Sequence, residues 1–296
     1  MKLVTYNIQY TKGKDYRYDV DRIVQAIKGA DVIALQEVER FWKRSGMTDQ
    51  PAEIAKRLSN YYWIYTPACD MDASQKQNDG TILNRRRQFG TMILSKKPIL
   101  SSRLHTLPKF GSLAHYNMAT GALEAVIQFS VGPIRIYSLH LSAISLEERL
   151  IQIKALLKIH RQAVFEGGVS EGPPLLRGIT DWSDGVPLPP KMPQNAILCG
   201  DFNSEPGGPE YDALVGRKDR MYGRVPYIGN FVDAWVAGGN REEEGITRPK
   251  DKEISDDRKL DYFLISSELA GRVKKSWIDE LADGSDHQPV WVEMAI

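Results

Sequence analysis

The sequence predicts a layered α/β sandwich, and two observations carry that prediction. Short strand-like apolar runs recur from the first residues to the last, several in hairpin-like succession, and a few segments of helical periodicity fall between them. Many strands in hairpins with few helices to cover them argue against a purely parallel doubly wound sheet. The composition agrees: 296 residues carry 39 Lys and Arg against 38 Asp and Glu, with 42% hydrophobic and 26% charged residues, the balance of an ordinary globular enzyme. A net charge of +1 excludes a globally cationic surface but leaves room for a local basic cleft.

The first residues, Met-Lys-Leu-Val-Thr-Tyr-Asn-Ile, alternate like a strand and lack the charged head, apolar core and cleavage site of a leader, so the start reads as mature. Val20, Ile23, Val24 and Ile27 recur at helical spacing behind Asp19, and Asp31 opens a buried strand. Pro51 starts a short helix that ends near Asn60, followed by the strand-like Tyr61-Tyr-Trp-Ile-Tyr. Strands are then expected at 89–95, 99–107, 122–131 and 134–142, with Gly132-Pro133 as the tight turn between the last two, which makes them antiparallel neighbours. Ser145 and Glu148 form a capping-box pattern ahead of a long helix whose stripe is Leu146, Leu150, Ile153 and Leu157. Further strands are expected at 196–199, 259–266 and 289–293.

Residues 167–193 are too rich in Gly and Pro for a helix or a central strand. Leu175, Leu176, Ile179 and Trp182 would be poorly hidden in a solvated tether, so this segment reads as an ordered surface loop on one domain spanning 1–296. Two cysteines, Cys69 and Cys199, exclude a disulfide scaffold and favour a reducing cytoplasm. No apolar run approaches the roughly 20 residues that span a bilayer, so no membrane helix is expected, and no protein partner is predicted.

Five polar clusters fall at predicted strand ends, where loops gather side chains at one edge of a sheet. They are Tyr-Asn-Ile around Asn7, Leu-Gln-Glu-Val around Glu37, Leu-His-Leu-Ser around His140, Gly-Asp-Phe-Asn-Ser from Gly200, and Gly-Ser-Asp-His-Gln-Pro-Val from Gly284. Arg258 and Asp261 stand at the start of a further strand. Singly, each cluster is more simply a strand terminus, a core histidine or a turn. Five in one chain point to a site.

Their order and wording resemble the endonuclease/exonuclease/phosphatase superfamily, over almost the whole chain from Asn7 to His287. Gly-Asp-Phe-Asn-Ser and Ser-Asp-His are the most specific parts, supported by Leu-Gln-Glu-Val. The resemblance implies a four-layered α/β sandwich with two packed, largely antiparallel mixed sheets and the site at one end. It also implies a metal-dependent phosphoesterase. Glu37 would be the principal ligand of Mg²⁺, with Mn²⁺ as substitute, and Asn7 and Asp286 would help to hold the ion, a hard-oxygen set suited to that cation. Asp201 would orient or deprotonate the attacking water and Asn203 would place the phosphate or that water. His287 would bind the scissile phosphate, with Asp261 setting its tautomer, and His140 would contact the phosphate or assist the leaving group.

Two departures lean away from repair-type nucleases: the histidine at 140, and neutral Gln9 where such relatives carry an acidic residue, which leaves one carboxylate fewer for a second ion. The stretch from Asn117 also lacks an Arg common in relatives, and among Arg85, Arg86 and Arg87 the last is the candidate substrate contact that would replace it. The expected substrate is a phosphate ester, taken as a small or lipid-derived diester. Nuclease action on DNA or RNA is the alternative, and an inactive phosphate-binding module is the alternative of another class. A serine hydrolase on Ser138, Ser142 or Ser285 is disfavoured by the missing Gly-x-Ser-x-Gly elbow.

Overall fold

Leu3 to Asn7 are buried without a break, because the strand they form is covered on both faces. It is the first of twelve strands in two sheets of a computed structural model that describes residues 1–170 and 191–296. These are β1 (Lys2–Asn7), β2 (Val32–Arg40), β3 (Tyr62–Asp72), β4 (Arg86–Ser95), β5 (Ile99–Thr106), β6 (Gly121–Phe129), β7 (Gly132–His140), β8 (Ala196–Asp201), β9 (Phe231–Asp233), β10 (Asp261–Ser266), β11 (Val273–Ile278) and β12 (Val290–Met294). The helices are α1 (Val20–Ala26), α2 (Gln50–Arg57), α3 (Leu146–Glu166), α4 (Pro209–Val215) and α5 (Ala234–Ala237). Nearly all of the 167–193 loop, with Leu175, Leu176, Ile179 and Trp182, lies outside the described residues.

One sheet runs β11-β12-β1-β2-β4-β3 and the other β9-β10-β8-β7-β6-β5. In each, only the central pair is parallel: β1 with β2, and β8 with β7. Strand alternation then sorts the side chains. Leu3, Val32, Ala34 and Ile93 meet Leu123, Ala125, Ile136, Ile197 and Phe263 in a shared interior between the sheets. Val4, Ile33, Leu35 and Met92 face outward beneath Ile23, Ile27 and Ile54 of the α1–α2 side. Tyr137, Leu139 and Leu198 face outward beneath Ile153, Leu156 and Leu214 of α3 and α4. The layers are therefore helix, sheet, sheet, helix. No described helix is long and apolar enough to cross a membrane.

Local chemistry sets the helix starts as the sequence predicts. Asp19, Asp49 and Ser145 accept backbone N–H bonds at the N-termini of α1, α2 and α3. Three expectations shift. The β6–β7 turn is Ser130–Val131, with Gly132 (φ 108°) already opening β7. The buried face of α3 is Glu148, Gln152, Ile153, Leu156 and Ala163, while Leu146 is exposed. The reason is polar: Glu148 accepts the Phe110 N–H (2.8 Å), and Gln152 donates to Pro108 O (3.0 Å), so α3 turns this face to the segment after β5. The short edge strand β9 and strand β11 were not foreseen. Lys274 and Lys275 leave β11 without clean alternation.

One polar staple joins the two sheets. Gln36 Nε2 donates to Thr5 Oγ1 (3.1 Å) and to Ser138 Oγ (3.0 Å), and Ser138 Oγ donates to Leu35 O (3.1 Å). All three residues are fully buried, so this contact fixes the register of one sheet against the other beneath the strand ends.

Candidate active site

The C-terminal ends of the two parallel pairs meet at one pole. Asn7 ends β1, and beyond it Gln9, Tyr10 and Thr11 take left-handed backbone angles (φ 40°, 45° and 68°), unusual for three consecutive residues without glycine. Gln9 N–H donates to Asn7 Oδ1 (3.0 Å), which leaves the Asn7 Nδ2 to donate to Glu37 Oε1 (3.0 Å) and Asp201 Oδ2 (2.9 Å). One buried amide thus joins a carboxylate from each sheet.

Simple alternation would send Glu37 outward with Leu35. Instead the pairing of β2 with β4 jumps from Leu35↔Met92 to Val38↔Gly90, a bulge in which Glu37 has φ 57°. The bulge re-aims the Glu37 carboxylate toward Asn7 and to within 4.0 Å of His140 Nε2. In the other sheet, His140 and Asp201 are register partners at the ends of β7 and β8, with His140 Nε2 3.6 Å from Asp201 Oδ2. Gly200 (φ 143°) makes this possible, since a Cβ there would sit 1.9 Å from Leu139 O.

Asp261 is the cross-strand partner of Asp201 on β10. Its backbone N–H is held by Thr247 Oγ1 (3.1 Å), and its Oδ2 lies 2.8 Å from His287 Nδ1. The other imidazole nitrogen, His287 Nε2, lies 3.7 Å from Asp201 Oδ2. Asn203 (φ 49°) donates its backbone N–H to Asp201 Oδ1 (2.8 Å) and its side-chain amide to Leu141 O (2.9 Å). Ser285 Oγ donates to Asn7 O (2.7 Å) and lies 3.2 Å from Asp286 Oδ1, which ties the segment before β12 to the end of β1. Asp286 Oδ2 pairs with buried Arg248 (3.1 Å), which also binds Asp251 (2.8 Å).

The electrostatics follow from burial and from which charges are close. Loss of hydration pushes the Glu37 pKa up, and Asp286 adds to this, while His140 and the Asn7 amide oppose it. Burial disfavours the His287 cation, but Asp261 and Asp201 outweigh that and raise its pKa well above the ordinary imidazole value. Burial raises that of Asp261, against the pull of His287. The pair therefore keeps a proton on His287, with Nε2 aimed at Asp201. Ligand atoms of Glu37, His140 and Asp201 lie within 4.8 Å of one another, and so do those of Asp201, Asp261 and His287.

Glu37, Asn7, His140, Asp201, Asn203, Asp261 and His287 therefore form one cluster, with Asp286 beside it on Arg248. Arg87 makes no ion pair or hydrogen bond to that cluster among the described residues; its guanidinium lies 5.6 Å from the Trp42 ring centroid. Arg86 binds Asp70 (2.9 Å), and the Arg258 side chain turns to Glu205 (3.8 Å). Sequence reasoning missed Arg248, Thr247 and a structural role for Ser285. The Thr-Arg-Pro stretch carries no local signal, because its partners are distant in sequence.

Comparison with known proteins bears on the family and the fold. A sequence model of the endonuclease/exonuclease/phosphatase family matches residues 4–287. No curated protein matches the chain. Among solved structures, a family protein from Leptotrichia buccalis superposes with TM-score 0.63 at 18% identity, covering 100% of both chains. The mannosyl-6-phosphatase Bt3783 of Bacteroides thetaiotaomicron gives 0.59 at 18% identity, again over 100% of both. TDP2 from Caenorhabditis elegans gives 0.57 at 16% identity, covering 99% of this chain and 73% of that one. At such identities the likeness is one of fold.

Proposed function

The chain belongs to the endonuclease/exonuclease/phosphatase family, divalent-metal-dependent hydrolases of phosphate esters, and from that premise we propose that it is a Mg²⁺- or Mn²⁺-dependent phosphodiesterase acting on a small or lipid-derived diester. The observation that carries this reading is the place of Asp201. Its Oδ2 accepts the Asn7 amide and stands within 4 Å of two imidazoles, His140 and His287, while Glu37 lies across Asn7.

In-line hydrolysis needs an oriented water, a counter-charge for the phosphoryl oxygens and help for the departing alkoxide. Asp201 orients the water and takes its proton, fixed by Asn203 N–H and Asn7. His287, kept cationic by Asp261, faces the phosphoryl oxygens. His140, whose Nε2 lies 3.6 Å from Asp201 Oδ2, serves the leaving group. Asn203 sets the approach of phosphate or water through its left-handed turn.

The residues fit a hard divalent ion. Glu37 is a carboxylate whose lost hydration calls for a cation, and its neighbours supply oxygen donors. Glu37 would hold the ion, with Asn7 and Asp286 helping directly or through water. When bound, the ion supplies Lewis-acid stabilisation of the phosphoryl charge. The near-zero net charge and the commitment of Arg86 to Asp70 support a small substrate over a duplex. We place the enzyme in the cytoplasm, as two free cysteines favour, and treat residues 1–296 as one catalytic domain, as the shared interior of the sheets favours.

The deciding experiment is a metal-resolved activity panel with aryl phosphodiesters and phosphomonoesters, phospholipids, RNA and duplex DNA. Chelation should abolish turnover and Mg²⁺ or Mn²⁺ restore it, with small diesters or phospholipids cleaved faster than duplex at physiological salt. Salt-sensitive duplex cleavage without activity on small diesters would replace this reading with a nuclease.

A further inference from the structure

Beside Asp286 the surface opens into a cleft of about 630 Å³, a volume typical of small-ligand sites. One wall is the 12–16 segment, thrown outward by the left-handed turn at Gln9–Thr11, and the other is the 248–253 loop. Arg248 stands between cleft and site: it lines the cleft while its Nη2 holds Asp286.

Four acidic residues face this space, and three are held by arginines. Asp15 is bound by Arg22 (2.7 Å), while Asp251 and Asp286 are bound by Arg248 (2.8 and 3.1 Å). Lys12, Lys14, Lys250 and Lys252 line the same walls, and none has a carboxylate within ion-pair distance among the described residues. Arg248 shares one charge between two carboxylates, so the lining carries five cationic side chains against four carboxylates, and its four ammonium groups stand outside every ion pair among the described residues. Lys12 Nζ rests 4.6 Å from the Tyr16 ring centroid, which holds it over an aromatic face rather than on an anion. Like charges gathered in a concave surface focus a positive potential, and a multiply charged anion relieves their repulsion.

We propose that this cleft is an anion subsite, and that the natural substrate carries a second phosphate, apart from the scissile one, which the four lysines hold while the ester to be cut lies at Asp201. The proposal rests on the phosphoesterase reading and narrows its substrate class to diesters bearing an additional phosphomonoester. Compact, mobile ammonium groups suit a phosphate dianion presented in more than one pose, whereas Arg248 is fixed in its own pairs and serves as the partition.

The test compares two aryl phosphodiesters that differ only in whether the alcohol carries a phosphomonoester or a free hydroxyl, using the wild type and a Lys14→Gln/Lys250→Gln variant. Both side chains are exposed, so the fold should survive, and thermal unfolding checks this. The wild type should show a lower KM for the phosphorylated ester, and the variant should lose about fivefold of that preference, the scale of two exposed ion pairs. Equal KM values in the wild type, or an undiminished preference in the variant, would overturn the subsite. A second arm needs no turnover: inorganic phosphate titrated into metal-free protein and followed by ³¹P NMR should bind more weakly to the variant, and unchanged binding would also overturn it. If neither ester is cleaved with Mg²⁺ or Mn²⁺, the phosphoesterase reading fails, and the phosphate titration still decides the subsite. Lysine-dependent binding to phosphatidylcholine vesicles containing phosphatidic acid would assign the second phosphate to a lipid headgroup; phosphate binding without vesicle binding would assign it to a small soluble ester.

Discussion

The two sheets share one pairing scheme, a central parallel pair flanked by antiparallel strands, yet they deliver their functional side chains by different means. In the first sheet the parallel pair ends in Asn7 and Glu37, and the carboxylate is aimed by a bulge with a left-handed residue in β2. In the second the pair runs in register to its end, where His140 and Asp201 face each other, and the close approach is made at Gly200. Their outer faces differ as well. That of the first sheet is apolar under α1 and α2, whereas that of the second joins buried Glu124, Tyr137 and Arg135 to half-buried His105 and His160 in one polar network. The lesson is that equal strand pairing fixes where strand ends go, while bulges, glycines and buried polar contacts decide what those ends can do.

The largest expected effect separates the roles of Asp201 and His287 from that of Glu37. Asp201→Asn and His287→Ala should each lower turnover by about 10²–10⁴-fold, the range of positioned acid–base and electrostatic groups, and added metal should not restore it. Glu37→Gln should instead raise the metal concentration needed for activity by about tenfold or more. Metal titrations of the purified variants distinguish the two, and identical responses would erase the division of labour. Next comes the device at Gly200. Gly200→Ala forces a Cβ to within 1.9 Å of Leu139 O, at a cost of about 3 kcal/mol or more. Denaturant unfolding would measure this, and a neutral outcome would mean that β8 can move away from β7.

The inter-sheet staple should give a smaller change. Ser138→Ala leaves Gln36 Nε2 without one of its two partners, for a loss of about 1–3 kcal/mol, and turnover should fall with it because the two halves of the site lose their common register. Unfolding and steady-state rates measured on the same sample test that link.

Acid sensitivity of the second sheet's outer face gives the last test of the contrast. Burial lowers the His160 pKa to about 4, and Arg135 adds to this. The unfolded chain therefore binds a proton from pH 6.5 downward that the fold refuses, and stability falls as pH drops toward 4. Burial alone would raise Glu124, but His105, Tyr137 and Arg103 outweigh it and hold its pKa at about 2. Its contribution is complete above the unfolded value of 4.5 and is lost as pH falls from there toward 2. Each group contributes at most about 1.4 kcal/mol per pH unit. Hydrogen exchange in α3 and β7 should rise on acidification before exchange in β1 and β2, and simultaneous loss in both sheets would contradict the contrast.

Much of the site was legible in the sequence because its residues sit inside short motifs at strand ends. Asn7, His140 and Asp201 end strands that periodicity predicts, and Ser-Asp-His precedes a strand that apolar alternation predicts. Arg248 was not legible, since its partner Asp286 is 38 positions away and an arginine in a loop has no preferred use. Glu37 was readable as a residue but not as a geometry, because a bulge is a property of two strands. The stripe on α3 misled for a similar reason: Leu146 fits the period, yet Glu148 and Gln152 turn the helix by binding backbone groups that periodicity does not register.

By itself the sequence determined the alternation of strands and helices, the caps of α1 and α3, the family, and the identity of the clustered side chains, because these depend on neighbours along the chain or on motifs within it. Only the tertiary structure decided that Asn7 bridges the carboxylates of Glu37 and Asp201, that His287 is held between two aspartates, and that lysines from two distant loops face one cleft. Those are distances between residues from different strands and loops, set by register, bulges and the staple between two sheets, and no local pattern encodes them.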